Sequence, residues 1–171
     1  MSSSILDNLQ KIKKLDSQNM LGSLELLGKQ VEQITGCKRL TLPKAYAGVS
    51  NVVVLGMGGS TLGSHVIKSL YDGTLRVPVD IVNGYDIPAS VGAKTLVIVS
   101  SYSGTTEEPV EAGKKALLKK AKIVTISSGG TLAVWAKKNN LAALLFSTEN
   151  NPCGSPRMGL GLAISTGVGF L

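Results

Sequence analysis

The chain has 171 residues, of which 43% are apolar and 4% aromatic, and its formal net charge is +7. This length can bury the core of one domain, built mainly from Leu, Val, Ile and Ala. The charge does not indicate a nucleic-acid partner, because there is no recognition motif and few aromatic side chains could stack on bases. Five lysines instead cluster late in one predicted helix, where they complement its dipole and face water: Lys114, Lys115, Lys119, Lys120 and Lys122.

The first 50 residues predict helices and a connecting loop. Apolar residues recur at helical spacing from Ile5 to Leu15 and from Leu24 to Ile34, with a stop near Gly36. Pro43 and Gly48 mark residues 41–50 as a loop. We expect residues 1–50 to form a helical extension that packs on the core.

From residue 51 onward, short apolar strands alternate with helices. The predicted strands cover 51–55, 77–82, 95–99, 122–126 and 142–146, and the predicted helices cover 61–70, 106–118, 132–138 and a segment from Arg157. This alternation is typical of a parallel sheet covered on both faces. The predicted fold class is α/β, a three-layer, doubly wound, five-stranded parallel sheet over residues 51–171 with the N-terminal helical extension. Ligands bind such sheets beyond the carboxyl ends of the strands.

The first candidate site is the glycine-rich turn after the first strand, GMGGSTLG at residues 56–63. Gly58 and Gly59 let the backbone approach a ligand closely, and the following helix presents free N–H groups and a positive dipole end. Ser60 and Thr61 add hydroxyl donors. The turn therefore predicts a phosphate cradle, and the alternative is a tight strand–helix crossover without a ligand.

Two better-known motifs do not fit this turn. A dinucleotide fingerprint needs a third glycine where Thr61 stands, and a P-loop needs a lysine where Ser64 stands. We therefore expect no nicotinamide or nucleotide cofactor. Cys37 and Cys153 fit neither a metal nor a redox spacing. His65 is the only histidine of the chain, and we expect it to have a surface or packing role, so no metal is expected either.

The second candidate site is the turn SYSGTTEE at residues 101–108, after the third predicted strand. Four hydroxyls surround Gly104, and they belong to Ser101, Ser103, Thr105 and Thr106. One threonine is expected to cap the following helix, and the other hydroxyls to bind phosphate or sugar oxygens. Glu107 and Glu108 lie in the first helical turn, where the dipole stabilises negative charge, so their interpretation is structural.

Together, GMGGS and SYSG-x-TEE resemble the sugar isomerase (SIS) domain, and more closely the first half of bifunctional phosphoglucose/phosphomannose isomerases. Leu15-Asp16, Asn19-Met20 and Pro156-Arg157 with its glycine-rich apolar continuation extend the resemblance over nearly the whole chain. The resemblance implies that Gly59 and Ser60 contact the sugar phosphate and that Arg157 stabilises an enediol intermediate. It also implies that the phosphate pocket proper consists of Ser101, Ser103 and Thr106.

The chain departs from the family pattern in two respects. Thr105 stands where the family usually has asparagine, which we expect to tune the pocket. The family also has two SIS domains, and this chain has one. In the family, the base glutamate and the histidine and lysine that assist ring opening lie beyond the point where this chain ends, and no residue here matches them.

The resemblance implies an isomerase that interconverts glucose 6-phosphate or mannose 6-phosphate with fructose 6-phosphate through a cis-enediol, without metal or cofactor. This chain would supply its phosphate-binding half. The alternative is a non-catalytic sugar-phosphate-binding module with a sensor or regulatory role.

Residues 158–171 carry no charge and many small side chains, so we expect close packing of this segment. The partner would be a second copy in a homodimer, or a second SIS domain. The segment is too short to span a bilayer, and the N-terminus has no signal-peptide core. With two unpaired cysteines, these features predict a cytoplasmic protein without a membrane partner.

Overall fold

The structure is a computed structural model that describes residues 5–35 and 42–168. Within these residues, five parallel strands form one sheet in the order β2-β1-β3-β4-β5. The strands are β1 (Asn51–Leu55), β2 (Val79–Val82), β3 (Thr95–Ser101), β4 (Lys122–Ser127) and β5 (Ala142–Leu145). The predicted parallel α/β sheet is therefore confirmed.

Seven α-helices accompany the sheet in the described part of the chain. They are α1 (Leu9–Leu15), α2 (Met20–Glu25), α3 (Leu27–Thr35), α4 (Gly59–Tyr71), α5 (Glu107–Leu118), α6 (Gly130–Lys138) and α7 (Leu160–Val168). The single helix predicted around Leu24–Ile34 is wrong, because the chain there forms α2 and α3 with a break at Leu26. Its predicted stop at Gly36 lies outside the described residues, as does Cys37.

Alternation along each strand divides the core into two layers. Val53, Leu55, Val97 and Ile123 are buried on the face that α5 and α6 cover. Val54, Ile98 and Val124 are buried on the opposite face, toward α4. Both faces of the strands are apolar because helices cover both sides, as expected for a doubly wound parallel sheet.

Helix α7 packs against α3 and α4 within the chain. A Cβ on Gly63 of α4 would collide with the backbone of α7 at Ala163. A Cβ on Gly161 of α7 would lie 2.8 Å from the Leu27 carbonyl of α3. The close packing expected of the glycine-rich C-terminal segment thus occurs between helices of one chain.

The predicted lysine cluster is divided between α5 and the residues after it. Lys114 and Lys115 lie in α5, where they pair with Glu111 and Asp86 at 2.5 and 2.9 Å. Lys119 and Lys120 are exposed just after the helix. Lys122 does not belong to that helix: it begins β4, as the predicted strand 122–126 has it, and its ammonium donates to the Ala47 carbonyl at 3.1 Å.

No helix among the described residues is long and apolar enough to cross a membrane.

Candidate functional site

The turns that follow β3 and β4 are joined at the carboxyl edge of the sheet. Gly104, with φ +72°, has no room for a side chain, because a Cβ there would collide with the Gly129 carbonyl. The Gly104 carbonyl accepts hydrogen bonds from the Leu132 amide at 2.8 Å and the Thr131 hydroxyl at 2.9 Å. This backbone contact holds the N-terminal ends of α5 and α6 side by side.

The turn after β1 is hydrogen-bonded to the end of β3. The Ser60 hydroxyl accepts from the Tyr102 amide at 2.9 Å, and the Ser100 hydroxyl donates to the Ser60 carbonyl at 3.0 Å. Because the Ser60 oxygen is the acceptor in its bond, its own proton remains available for a ligand. Gly58 occupies the N-cap position of α4 with φ +51°, exposed and with open space around it.

The four hydroxyls of the second turn form two pairs. Ser101, which is 1% exposed, accepts from the Gly104 amide at 3.1 Å and donates to the Thr106 hydroxyl at 3.0 Å. Ser103 and Thr105 lie at the surface, 2.9 Å apart between hydroxyl oxygens. The Thr106 proton is left free by its pairing with Ser101, so Ser103, Thr105 and Thr106 carry the accessible hydroxyls.

The expectation that a threonine is the N-cap residue of α5 is confirmed in position, but the capping hydrogen bond is not made. Thr106 occupies the N-cap position with extended backbone angles, but its side chain makes no capping hydrogen bond. The Thr106 hydroxyl oxygen instead accepts a hydrogen bond from the Ser101 hydroxyl. The first amides of α5 are consequently not satisfied by this side chain.

Arg157 lies beside the first turn. It belongs to a single 3-10 turn, Pro156–Met158, whose backbone contacts Gly59 so closely that a Cβ on Gly59 would lie 2.8 to 2.9 Å from Pro156 and the Arg157 nitrogen. The side chain of Arg157 is exposed and makes no hydrogen bond or ion pair with the described residues. The structure therefore brings together the first turn, the second turn and Arg157, which lie far apart in sequence.

A third turn at this edge was missed by the sequence analysis. Ser127-Ser128-Gly129-Gly130-Thr131 begins at the last residue of β4 and is rich in glycine and hydroxyl residues, like the first two turns. Gly129 and Gly130 have φ values of +150° and +66°, which allow the contact with Gly104. The signal was present, because the rule applied to residues 56–63 and 101–108 also selects this segment.

Two tyrosines at or near the second turn have raised pKa values. Desolvation, followed by the carboxylates of Glu107 and Glu108, raises the pKa of the Tyr85 phenol. These two acids therefore lie beside Tyr85, in the loop after β2. Burial also raises the pKa of Tyr102, and the hydrogen bond from the Asn151 amide at 2.7 Å partly opposes this shift. His65 is exposed on α4, and the described residues contain no cluster of acids, cysteines and histidines able to hold a metal ion.

Of two cavities in the described fold, the smaller one lies beside the first turn. A cavity of about 20 Å³, the size of one water, lies behind the first turn and is lined in part by Ser60, Tyr102 and Pro156. A larger cleft of about 810 Å³ is lined by Val52, Leu96 and α4. Because Val52, Val54, Leu96 and Ile98 all line it, this cleft lies along the face of the sheet toward α4, and its described lining includes none of the hydroxyls of the three turns.

Sequence comparison relates the chain to one group of enzymes. The bifunctional phosphoglucose/phosphomannose isomerase of Caldicellulosiruptor bescii is 40% identical over 114 residues, which cover 66% of this chain and 32% of that protein. Proteins of the same name from three other organisms are 33%, 40% and 43% identical. The chain spans about a third of the length of the curated relatives it matches. No protein-family model matches.

Solved structures share the fold. Tagatose-6-phosphate ketose/aldose isomerase from Escherichia coli has a TM-score of 0.57 at 15% identity, covering 90% of this chain and 43% of that chain. A protein of Escherichia coli CFT073, solved as a ligand complex, has a TM-score of 0.55 at 18% identity and covers 95% of this chain and 92% of that chain. By sequence the chain is a homologue of the bifunctional phosphoglucose/phosphomannose isomerases, and its fold is the SIS fold of the phosphosugar isomerases.

Proposed function

We propose that this chain forms the phosphate-binding part of an aldose–ketose isomerase that interconverts glucose 6-phosphate or mannose 6-phosphate with fructose 6-phosphate. One observation carries the proposal: the two turns that resemble the family motifs converge with Arg157 at the carboxyl edge of one parallel sheet. The homology to proteins named as these isomerases supports the substrate class. The cis-enediol route follows from the chemistry of moving a proton between C1 and C2 of a sugar.

The phosphate group is assigned to the second turn. Thr106 donates from a free hydroxyl proton, the Ser103–Thr105 hydroxyl pair has one further proton to donate, and the uncapped amides at the start of α5 add backbone donors. Ser101 acts by holding Thr106, since its own proton is already committed to that residue. Several neutral donors at a helix N-terminus can bind a phosphate without a lysine, as other phosphate-binding turns do.

The sugar end of the substrate is assigned to the first turn and to Arg157. Gly58 leaves the backbone open, Gly59 lets the Arg157 turn approach closely, and the free proton of Ser60 points to a role in binding. Arg157 supplies a positive charge with no competing partner among the described residues, and it would stabilise the negative charge that develops on the enediol oxygens. We assign the proton-transferring base to another part of the enzyme, because no residue of this chain matches the base glutamate that the family resemblance implies.

A non-catalytic sugar-phosphate-binding module is the second candidate. The observation that favours it is that the residues assigned to the site offer hydrogen-bond donors and the charge of Arg157, and none of them is a carboxylate or an imidazole. Formation of glucose 6-phosphate from fructose 6-phosphate by the isolated chain would exclude the module. Binding without turnover would favour it, or favour pairing with a second SIS domain or a second copy that supplies the base.

Thermal unfolding tests the binding proposal directly. A ligand at 100 times its dissociation constant stabilises the folded state by about 2.7 kcal/mol, which raises the melting temperature of a chain this size by roughly 5–10 °C. We expect fructose 6-phosphate to produce such a shift and fructose to produce none, because the phosphate provides most of the recognition. No shift at millimolar fructose 6-phosphate would contradict the proposal.

A matched pair of threonine variants locates the site. Thr106→Val removes one hydroxyl at the second turn and should abolish most of the thermal shift. Thr125→Val removes a buried hydroxyl in β4, away from the carboxyl-edge turns, and should leave the shift intact. Equal loss of the shift in both variants would show that the second turn is not the phosphate site.

A further inference from the structure

The amide of Gln30 is buried where three segments of the chain meet. Gln30 lies in α3 and is 0% exposed. Its Nε2 donates to the carbonyls of Met158 at 2.9 Å and Asn150 at 3.0 Å, and more weakly to Ser23 at 3.3 Å. Its Oε1 accepts from the Gly161 amide at 3.1 Å. One side chain therefore binds both sides of the loop that carries Arg157.

Asn151 holds the same loop from the opposite side. Asn151 is 2% exposed, and its Nδ2 donates to the Ser155 carbonyl at 2.8 Å and to the Tyr102 phenol oxygen at 2.7 Å. Ser155 lies two residues before Arg157, and Met158 directly follows Arg157. The backbone of the Arg157 turn is thus fixed at both ends by buried amides.

The side chain of Arg157 has no such fixation. Its guanidinium is exposed and unpaired among the described residues, so the backbone of the Pro156–Met158 turn determines where it can reach. A catalytic group displaced by about 1 Å can lose about 100-fold in rate. Burying a polar amide at a helix–loop contact is costly unless its hydrogen bonds are made, and here those bonds hold the functional turn.

We propose that Gln30 is a positioning residue for Arg157, and that α3 is therefore part of the functional unit. The inference rests on the proposed function, in which Arg157 stabilises the enediol. It assigns a role to a helix outside the region that carries the two sequence motifs. The chemical consequence is that loss of the Gln30 amide weakens interactions with the sugar end of a ligand and spares those with its phosphate.

The chain offers a matched control for this role. Gln33 lies one turn further along α3, donates to the Ser147 carbonyl at 2.9 Å and accepts from the Asn150 amide at 2.8 Å. Both of these bonds are made to the start of the loop, away from the Arg157 turn. Gln30→Met and Gln33→Met each replace a glutamine of α3 by a side chain of similar volume that has no amide. The first removes the hydrogen bond to the Met158 carbonyl in the Arg157 turn, and the second removes hydrogen bonds to the start of the loop.

The binding experiment compares two probes by calorimetry. Arabinonate 5-phosphate has a planar carboxylate that stands in for the enediol, and inorganic phosphate tests the phosphate pocket alone. We expect Gln30→Met to weaken arabinonate 5-phosphate by between about 10- and 100-fold, with phosphate binding unchanged. Gln33→Met should change neither. In an Arg157→Ala background, Gln30→Met should have no further effect, and a loss as large as in the wild-type background would overturn the proposal.

Hydrogen exchange supplies a readout that needs no ligand. The Gly161 amide donates to Gln30, so its exchange should accelerate in Gln30→Met and not in Gln33→Met. Equal protection at residues 155–161 in both variants would overturn the proposal whether or not a sugar phosphate binds. If the wild-type chain binds neither probe, the proposed function fails separately. If Gln30→Met does not fold, Asn151→Ala releases the Ser155 end of the same turn and should weaken arabinonate 5-phosphate with phosphate binding unchanged; equal binding of arabinonate 5-phosphate by Asn151→Ala and the wild-type chain would overturn the proposal.

Discussion

Two glycine-to-alanine substitutions in helices test whether α7 packs against α4 as the structure shows. Gly63 in α4 contacts the backbone of α7, and an added Cβ there would collide with Ala163 and lie 2.7 Å from the Ile164 nitrogen. Gly28 in α3 is exposed and has nothing within 4 Å of an added Cβ. Both residues are helical, so the two substitutions differ mainly in what the new methyl group meets.

The expected free energies have opposite signs. Replacing glycine by alanine inside a helix stabilises the folded state by about 0.5–1 kcal/mol, and Gly28→Ala should show that gain. Gly63→Ala makes the same gain but must separate two helix backbones, and overpacking costs about 1–3 kcal/mol. Because the contacted atoms are backbone and cannot rotate away, the upper end applies, and the net loss is about 2 kcal/mol. The two variants should therefore differ by about 3 kcal/mol in the free energy of unfolding.

Urea unfolding followed by circular dichroism measures this difference. The expected result is a higher midpoint for Gly28→Ala and a lower midpoint for Gly63→Ala, with equal slopes. Stabilisation of both variants by a similar amount would refute the packing of α7 on α4 within one chain. It would instead favour a segment whose small residues await another subunit. Because α7 begins just after the Arg157 turn, Gly63→Ala should also weaken binding at the sugar end of the ligand.

Other substitutions test the carboxyl-edge turns and the interior. Gly104→Ala should cost about 1–3 kcal/mol more than Gly58→Ala, since both positions have positive φ but only Gly104 lacks space; equal losses in urea unfolding would contradict the joined turns. Tyr102→Phe should cost about 1 kcal/mol at pH 7 by removing its bond from Asn151. Folding raises the pKa of the Tyr102 phenol, so the stability that this phenol contributes is full below its unfolded pKa and is lost as pH rises through its folded pKa. The difference in stability between the wild-type chain and Tyr102→Phe should therefore narrow above about pH 10, and a widening difference would contradict this sign. Thr125→Val should stabilise the fold by about 1 kcal/mol, because the hydroxyl it removes is buried without a partner among the described residues; a lower melting temperature would contradict this.

The sequence predicted the sheet well, because strands that are buried on both faces have apolar residues at most of their positions. Runs such as Asn51–Leu55 and residues 95–99 are apolar at every position but the first, and turn residues bound them. The helical extension was predicted less well. A break at Leu26 divides α2 from α3, and neither helix has enough buried apolar residues to define its ends: only Gln30 and Ile34 of α3 are buried.

The candidate site was predicted only where composition is unusual. The first two turns were selected because glycines and hydroxyls follow a buried strand. The turn at residues 127–131 has the same composition, and its role in holding the second turn through Gly104 could be seen only from the packed backbones. The pairing of Ser101 with Thr106 also replaced an expected helix cap, since local sequence cannot rank two competing partners for one hydroxyl.

Sequence by itself therefore determined the α/β class, the two motif turns and the resemblance to sugar isomerases, because these depend on residues that are close along the chain. Tertiary structure alone decided which distant residues meet. Arg157 lies beside Gly59, and Gln30 binds the turn that carries Arg157, across separations of 98 and 128 residues in the chain. Such contacts depend on how helices and strands pack, and the short-range periodicity of a sequence carries no record of them.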